Sequence, residues 1–183
     1  CRQYLDHKLS HHSDAIYGIN TGFGSLCQIR ISDSDIELLQ ENLVRSHACG
    51  LGEEVPVSIV RLMLLLKIRN FIYGHSGVSL ALTEQLLMYY NHAVYPVVYQ
   101  LGSLGASGDL APLAHLSLPL LNEGWVSWEG QRITAAEINQ RFGWKPLRLQ
   151  SKEGLALLNG TQFMSAYGLY SLMEFRKLLN WAE

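Results

Sequence analysis

From Gly102 to Asp109 the chain reads Gly-Ser-Leu-Gly-Ala-Ser-Gly-Asp, a run that neither a helix nor a strand can cross unbroken. Three glycines, two serines and an alanine fall within seven positions, and charge enters only at Asp109. Glycine reaches backbone angles that cost other residues energy, so the run is expected to be a compressed turn just before a helix. Compression makes chemistry available. If the Gly108 nitrogen is pressed onto the Ala106 carbonyl, a five-membered ring can close. Loss of water from that ring and from the Ser107 side chain then leaves a conjugated alkene, an electrophile that no ordinary side chain supplies.

The remaining sequence bounds the setting for such a group. With 48% hydrophobic and 16% charged residues, the 183 positions suit one folded piece with a substantial core. A formal charge of −2 offers no field for a nucleic-acid backbone, so no nucleic-acid partner is expected. Cys1, Cys27 and Cys49 are odd in number and never form CxxC. Neither a disulfide framework nor a zinc site follows, and a reducing compartment, the cytoplasm, fits best. The longest apolar run, Val55 to Tyr73, contains Arg61, Lys67 and Arg69. These would be costly in lipid, so a buried helix whose charges reach water is expected, and no membrane partner. The chain opens without a methionine and closes inside a helical pattern, so residues 1–183 are expected to be a single partial domain, cut at both ends.

Periodicity predicts a mainly α fold with one small β-hairpin. Ser34 and Glu37 have capping-box spacing ahead of an Ile36, Leu39, Leu43 stripe that also carries His47. Further helices are expected from Pro56 to about Tyr73, from Leu80 to Val94, and from Asp109 to Leu121 with Pro119 kinking its last turn. Trp125 to Ile133 reads as a hairpin around Glu129-Gly130, followed by a helix boxed by Thr134 and Glu137 and ended by Gly143. A last helical region starts at Ser151 and breaks at Asn159-Gly160. Residues 1–31 show weak periodicity and a glycine-rich loop, Tyr17 to Gly24. His7, His11 and His12 lie there; no HExxH glutamate accompanies them, so a solvated segment and no metal are expected.

The turn does not stand alone. Gly102-Ser-Leu-Gly-Ala-Ser-Gly-Asp-Leu-Ala-Pro-Leu-Ala-His115 resembles the prosthetic-group motif of the aromatic amino-acid ammonia-lyases and aminomutases over about fourteen residues. Three more stretches are similar to that family in the same order: Tyr17-Gly-Ile-Asn-Thr-Gly-Phe-Gly24, Asn42-Leu-Val-Arg-Ser-His-Ala-Cys-Gly-Leu-Gly52 and Glu153-Gly-Leu-Ala-Leu-Leu-Asn-Gly-Thr-Gln162. One departure is that Pro96-Val-Val-Tyr99-Gln100 keeps only the first of two prolines often present before the motif.

The resemblance implies the N-terminal part of an ammonia-lyase-like helical fold, with Ala106, Ser107 and Gly108 cyclised to methylidene-imidazolone. Backbone donors at the following helix would stabilise its oxyanion. It implies that Tyr17 removes the β-proton; on its residues alone Tyr17 reads as an aromatic packing peg in a glycine loop. A free phenol holds its proton to about pH 10, so the role needs a positive setting. Asn159 reads locally as a cap or kink, and by resemblance as a donor to the ring or substrate. Gln162 matches the motif but also suits a helix surface, and Asp109 is either a helix-start acid or an orienter of the ring. His47 reads by itself as a core histidine. In the family, the pair matching Ser46-His47 lies beside the substrate side chain, and Ser-His resembles the histidine lyases rather than the tyrosine or phenylalanine lyases. The implied substrate is L-histidine, eliminated to trans-urocanate and ammonia in a homotetramer whose sites draw tyrosine, arginine and glutamate from later segments. The 183 residues alone are then expected to be inactive. A phenylalanine or tyrosine lyase, an aminomutase, or a silent piece acting only in assembly are the alternatives.

Overall fold

The first helix, α1 (Arg2–His11), occupies a segment whose weak periodicity gives no helix in the sequence reading. It has no apolar stripe beyond buried Leu5: the His7 and His11 rings stack at 4.1 Å, Arg2 pairs with Asp6, and Arg2 also donates to the distant Ser151 carbonyl at 3.0 Å. The computed structural model describes residues 1–11 and 14–182, so His12 lies outside the described residues. Among them, no cluster of His, Cys, Asp or Glu could hold a metal ion.

Helix α2 (Ile36–His47) begins later than the Ser34 box predicts. A 3-10 turn at Asp33–Asp35 precedes it, the Ser32 hydroxyl bonds both Ser34 and the Asp35 carboxylate, and no side chain caps the first turn. Helix α3 (Val57–Ile72) follows Pro56 as expected and buries Ile59, Val60, Met63, Leu64, Ile68 and Phe71. Lys67 departs from the expectation that its charge reaches water: it is 0% exposed. Its spacing from Val60, Met63, Leu64 and Phe71 puts it on the buried stripe, where its amine meets the Ala156 carbonyl instead of water. Helix α4 (Leu80–Asn91) stops three residues before the predicted end, because Ala93 turns at φ 54.

Short strands unannounced by the sequence flank the turn. β1 (Leu51–Glu54) pairs with a strand just before the Gly/Ser run, and β2 (Tyr95–Pro96) joins the hairpin. That run is bounded by β3 (Tyr99–Leu101) and α5 (Ala111–Ser117), the latter shorter than predicted. Leu110 at φ 51 delays its start past Asp109, and Pro119 converts the end into a 3-10 turn, Leu118–Leu121. The hairpin β4 (Trp125–Trp128) and β5 (Gln131–Thr134) turns at Glu129-Gly130, and α6 (Ala135–Phe142) carries the predicted Thr134–Glu137 box and Gly143 cap.

Helix α7 (Glu153–Leu158) crosses α2 where a Cβ at Gly154 would lie 2.6 Å from the Gln40 carbonyl oxygen. The chain breaks at Asn159, in extended conformation, and resumes as α8 (Gln162–Ala182), which packs on α3. One hydrophobic core joins α2, α3, α4, α5 and α7, filled by Leu64, Leu82, Leu113 and Leu157 among others. The mainly α class with a small hairpin is therefore the observed one. Cys1, Cys27 and Cys49 are exposed and free, and no described helix is long and apolar enough to cross a membrane.

Candidate active site

Four of the residues singled out in the sequence line one cavity of about 320 Å³: Tyr17, His47, Ser107 and Asn159. They come from four separate elements, and each is aimed by a local device. Phe23, Leu43, Leu110, Leu155 and Leu158 complete an apolar wall, as in small-molecule sites of this size.

Tyr17 is carried by a tight loop rather than a loose one. Buried Asn20 fastens it, accepting from the Ile16 N–H at 2.7 Å and donating to the Asp14 carbonyl at 2.9 Å. Gly18, at φ +71, rests so closely on Leu155 that a Cβ would lie 2.5 Å from its methyl group. The phenol itself is 56% exposed at the cavity mouth, edge-on to Phe23 at 6.1 Å.

His47 ends α2. Its Nδ1 lies 2.9 Å from the Leu43 carbonyl, which can only accept, so Nδ1 is the donor of that bond. Ser46 donates to the same carbonyl at 3.1 Å and faces a second apolar hollow, which shares Phe23, Leu43 and His47 with the first.

The turn itself is pressed against the α7–α8 break. Ala106 and Ser107 are exposed, whereas Gly108 is half-buried at φ +115, where a Cβ would lie 2.7 Å from the Gly160 nitrogen. No other residue fits there. The Asp109 N–H donates to the Gly160 carbonyl at 2.8 Å. The Asn159 amide donates to the Ser107 carbonyl oxygen at 2.7 Å. That oxygen is the one a ring closed between Ala106 and Gly108 would retain, and the one on which negative charge would collect. The residues present therefore fit a methylidene-imidazolone. The observed donor is a side-chain amide, in place of the backbone N–H groups expected from a following helix. The reason is that α5 starts only at Ala111, after Leu110 turns away.

Asp109 is buried and also does not serve α5: its Oδ2 accepts from the Phe163 N–H at 2.7 Å, in the first turn of α8. Burial raises its pKa, while the Phe163 and Met164 N–H groups and Lys67 oppose the rise. Gln162 does not reach the cavity. It is buried at the break with its Oε1 unpartnered, folded over Gly160.

Two residues near the site escape the sequence reading. His115, at the end of the fourteen-residue motif, accepts the Gly50 N–H at 3.0 Å through Nε2 and so ties the segment after His47 to α5; burial lowers its pKa. Lys67 donates to the Ala156 carbonyl at 3.0 Å, behind the cavity. A lysine at i+3, i+4 and i+7 from buried apolar positions is the signal that could have found it.

Residues 1–183 match the family described as aromatic amino acid lyase. The chain is 53% identical over 163 residues to the histidine ammonia-lyase of Geobacillus kaustophilus, covering 89% of this chain and 32% of that protein. It is 54% identical over 165 residues to the histidine ammonia-lyase of Legionella pneumophila strain Paris, covering 90% and 33%. The crystal structure of the Trypanosoma cruzi histidine ammonia-lyase superposes with a TM-score of 0.88 at 37% identity, over 97% of this chain and 34% of that one. The chain thus spans about a third of the length of the curated relatives it matches. Carrying the Ala106-Ser107-Gly108 turn with the Asn159 amide bonded to it and a match over every residue, the chain belongs to the aromatic amino acid lyase family.

Proposed function

We propose that the protein containing this chain is a histidine ammonia-lyase, converting L-histidine to trans-urocanate and ammonia. The observation that carries this reading is the 2.7 Å hydrogen bond from the Asn159 amide to the Ser107 carbonyl, inside a cavity that also holds Tyr17 and His47. Identities of 53–54% to proteins named histidine ammonia-lyase support the choice of substrate.

A methylidene-imidazolone formed from Ala106, Ser107 and Gly108 supplies an electrophile for the substrate amine, making it a competent leaving group. Asn159 holds the charge that gathers on the Ser107 oxygen, a fixed donor where charge develops. Tyr17 takes the β-proton at the cavity mouth. His47 Nε2 accepts the substrate imidazole N–H, a bond that a phenyl ring cannot make, with Ser46 shaping the adjoining hollow. Gln162 supports the break at Gly160 rather than touching substrate. Residues 1–183 act as one partial domain of a cytoplasmic homotetramer, with later segments completing each site.

The test is product formation by the protein at its natural length. Urocanate formation is expected to exceed cinnamate and coumarate formation, with an intact mass lower by two waters. His47→Leu is expected to harm histidine turnover most. Faster cinnamate or coumarate formation, or an unmodified mass, would overturn the reading.

A further inference from the structure

Nothing in the reaction described uses Lys67, yet it is a completely buried lysine bonded to α7, the helix that ends at the turn's amide donor. Burying an ammonium is unfavourable unless the surroundings compensate, and a methionine of similar length would fill the same space without a charge. Its surroundings show what the charge does.

Helix α7 ends at Leu158, and Asn159 leaves it in extended conformation. The Asn159 N–H still bonds the Leu155 carbonyl at 3.0 Å. The next carbonyl, Ala156, belongs to the group that a helix end leaves without a regular partner. Lys67 supplies its donor at 3.0 Å, from a position 89 residues earlier in the chain. On the far side of the break, Asp109 accepts the Phe163 N–H at 2.7 Å in the first turn of α8, where an N–H is otherwise orphaned and a negative charge is favoured. Asp109 also donates its own N–H to Gly160. The Lys67 amine therefore closes the end of one helix and the Asp109 carboxyl group opens the next. Asn159 is suspended between them.

We propose that Lys67 is a positioning residue, which with Asp109 fixes the α7–α8 break and thereby aims the Asn159 amide at the Ser107 carbonyl. This rests on the proposed lyase reading, because the amide matters most when charge develops on that oxygen. Lys67 touches neither substrate nor ring.

The experiment is a double-mutant cycle in the natural-length protein, comparing Lys67→Met, Asn159→Ala and the double variant on whichever amino acid the wild type turns over. Lys67→Met is expected to keep the two-water mass loss and a KM within about threefold, while kcat falls on the order of 10²-fold. The double variant is expected to be no slower than Asn159→Ala alone, because both changes remove one bond. Unchanged kcat in Lys67→Met, or losses that multiply in the double variant, would overturn the proposal. Should the methionine variant not fold, Lys67→Gln enters the same cycle with the same two outcomes. A wild type without the mass loss or without any elimination sinks the lyase reading instead, so the two failures are told apart.

Discussion

The hairpin-and-helix unit from Trp125 to Gly143 and the broken helix around Asn159 solve the same problem, ending and starting regular structure, by opposite means. In the first, Thr134 and Glu137 satisfy each other's backbone groups three residues apart, and Gly143 closes α6 at φ 68. In the second, the side-chain partners are distant: 52 residues separate Asn159 from Ser107, 54 separate Phe163 from Asp109, and 89 separate Lys67 from Ala156. Local closure costs little chain entropy, whereas these long loops must be ordered before their bonds form. The hairpin can be correct by itself. The site is correct only when the whole core is.

Paired glycine substitutions break this comparison most sharply. Gly108→Ala is expected to abolish ring formation and activity, since its Cβ would strike Gly160, and the intact mass should stay at the unmodified value. Gly130→Ala meets nothing within 4 Å at φ +75, and a loss of about 1 kcal/mol in denaturant melts with full activity is expected. Equal damage from both would erase the distinction. Next in size, Asn159→Ala is expected to lower kcat by about 10²–10³-fold while the two-water mass loss persists; an unchanged kcat would remove the amide from the proposed chemistry.

A pH series sharpens the contrast between the two regions. Burial pushes Lys67 down to about 7 despite the attraction of Asp109, whereas an unfolded lysine keeps its proton to 10.5. Between these values the unfolded chain binds more protons, so stability should rise with pH by at most about 1.4 kcal/mol per unit. Below about 7 both states hold the proton and this slope disappears. Lys67→Met should lose the rise in guanidinium melts above neutrality; identical slopes in both proteins would contradict it. The smallest effect belongs to the local unit: Thr134→Ala should cost about 1 kcal/mol and leave kcat untouched.

The same division governs what the sequence makes legible. Thr134, Glu137, Glu129-Gly130 and Gly143 can be read directly, because each signal and its partner lie within a few residues. The Ser34–Glu37 spacing misleads, since the same serine has Ser32 and Asp35 as neighbours in a 3-10 turn. Strands β1, β2 and β3 are two to four residues long and gain their partners from far along the chain, so no alternation announces them. Periodicity places Lys67 on a buried stripe but says nothing of the Ala156 carbonyl that receives it. The gathering of Tyr17, His47, Ser107 and Asn159 came from family resemblance, with the cavity and the bond to Ser107 added by the coordinates. Gln162 matched the motif equally well and lies elsewhere.

The crossing of α2 and α7 at Gly154 has a consequence for how such proteins diversify. Beyond it, α2 runs on for nearly two more turns to Ser46 and His47, whereas α7 runs on to Asn159. The crossing acts as a fixed joint from which two arms extend, one ending at the cavity wall and, on the proposed reading, facing the substrate, the other ending at the bond to the turn. Exchanging the two adjacent side chains at the tip of the first arm is expected, on that reading, to change what is admitted while leaving the second arm in place. On the proposed reading, substrate choice is thereby separated in space from the machinery at the far tip.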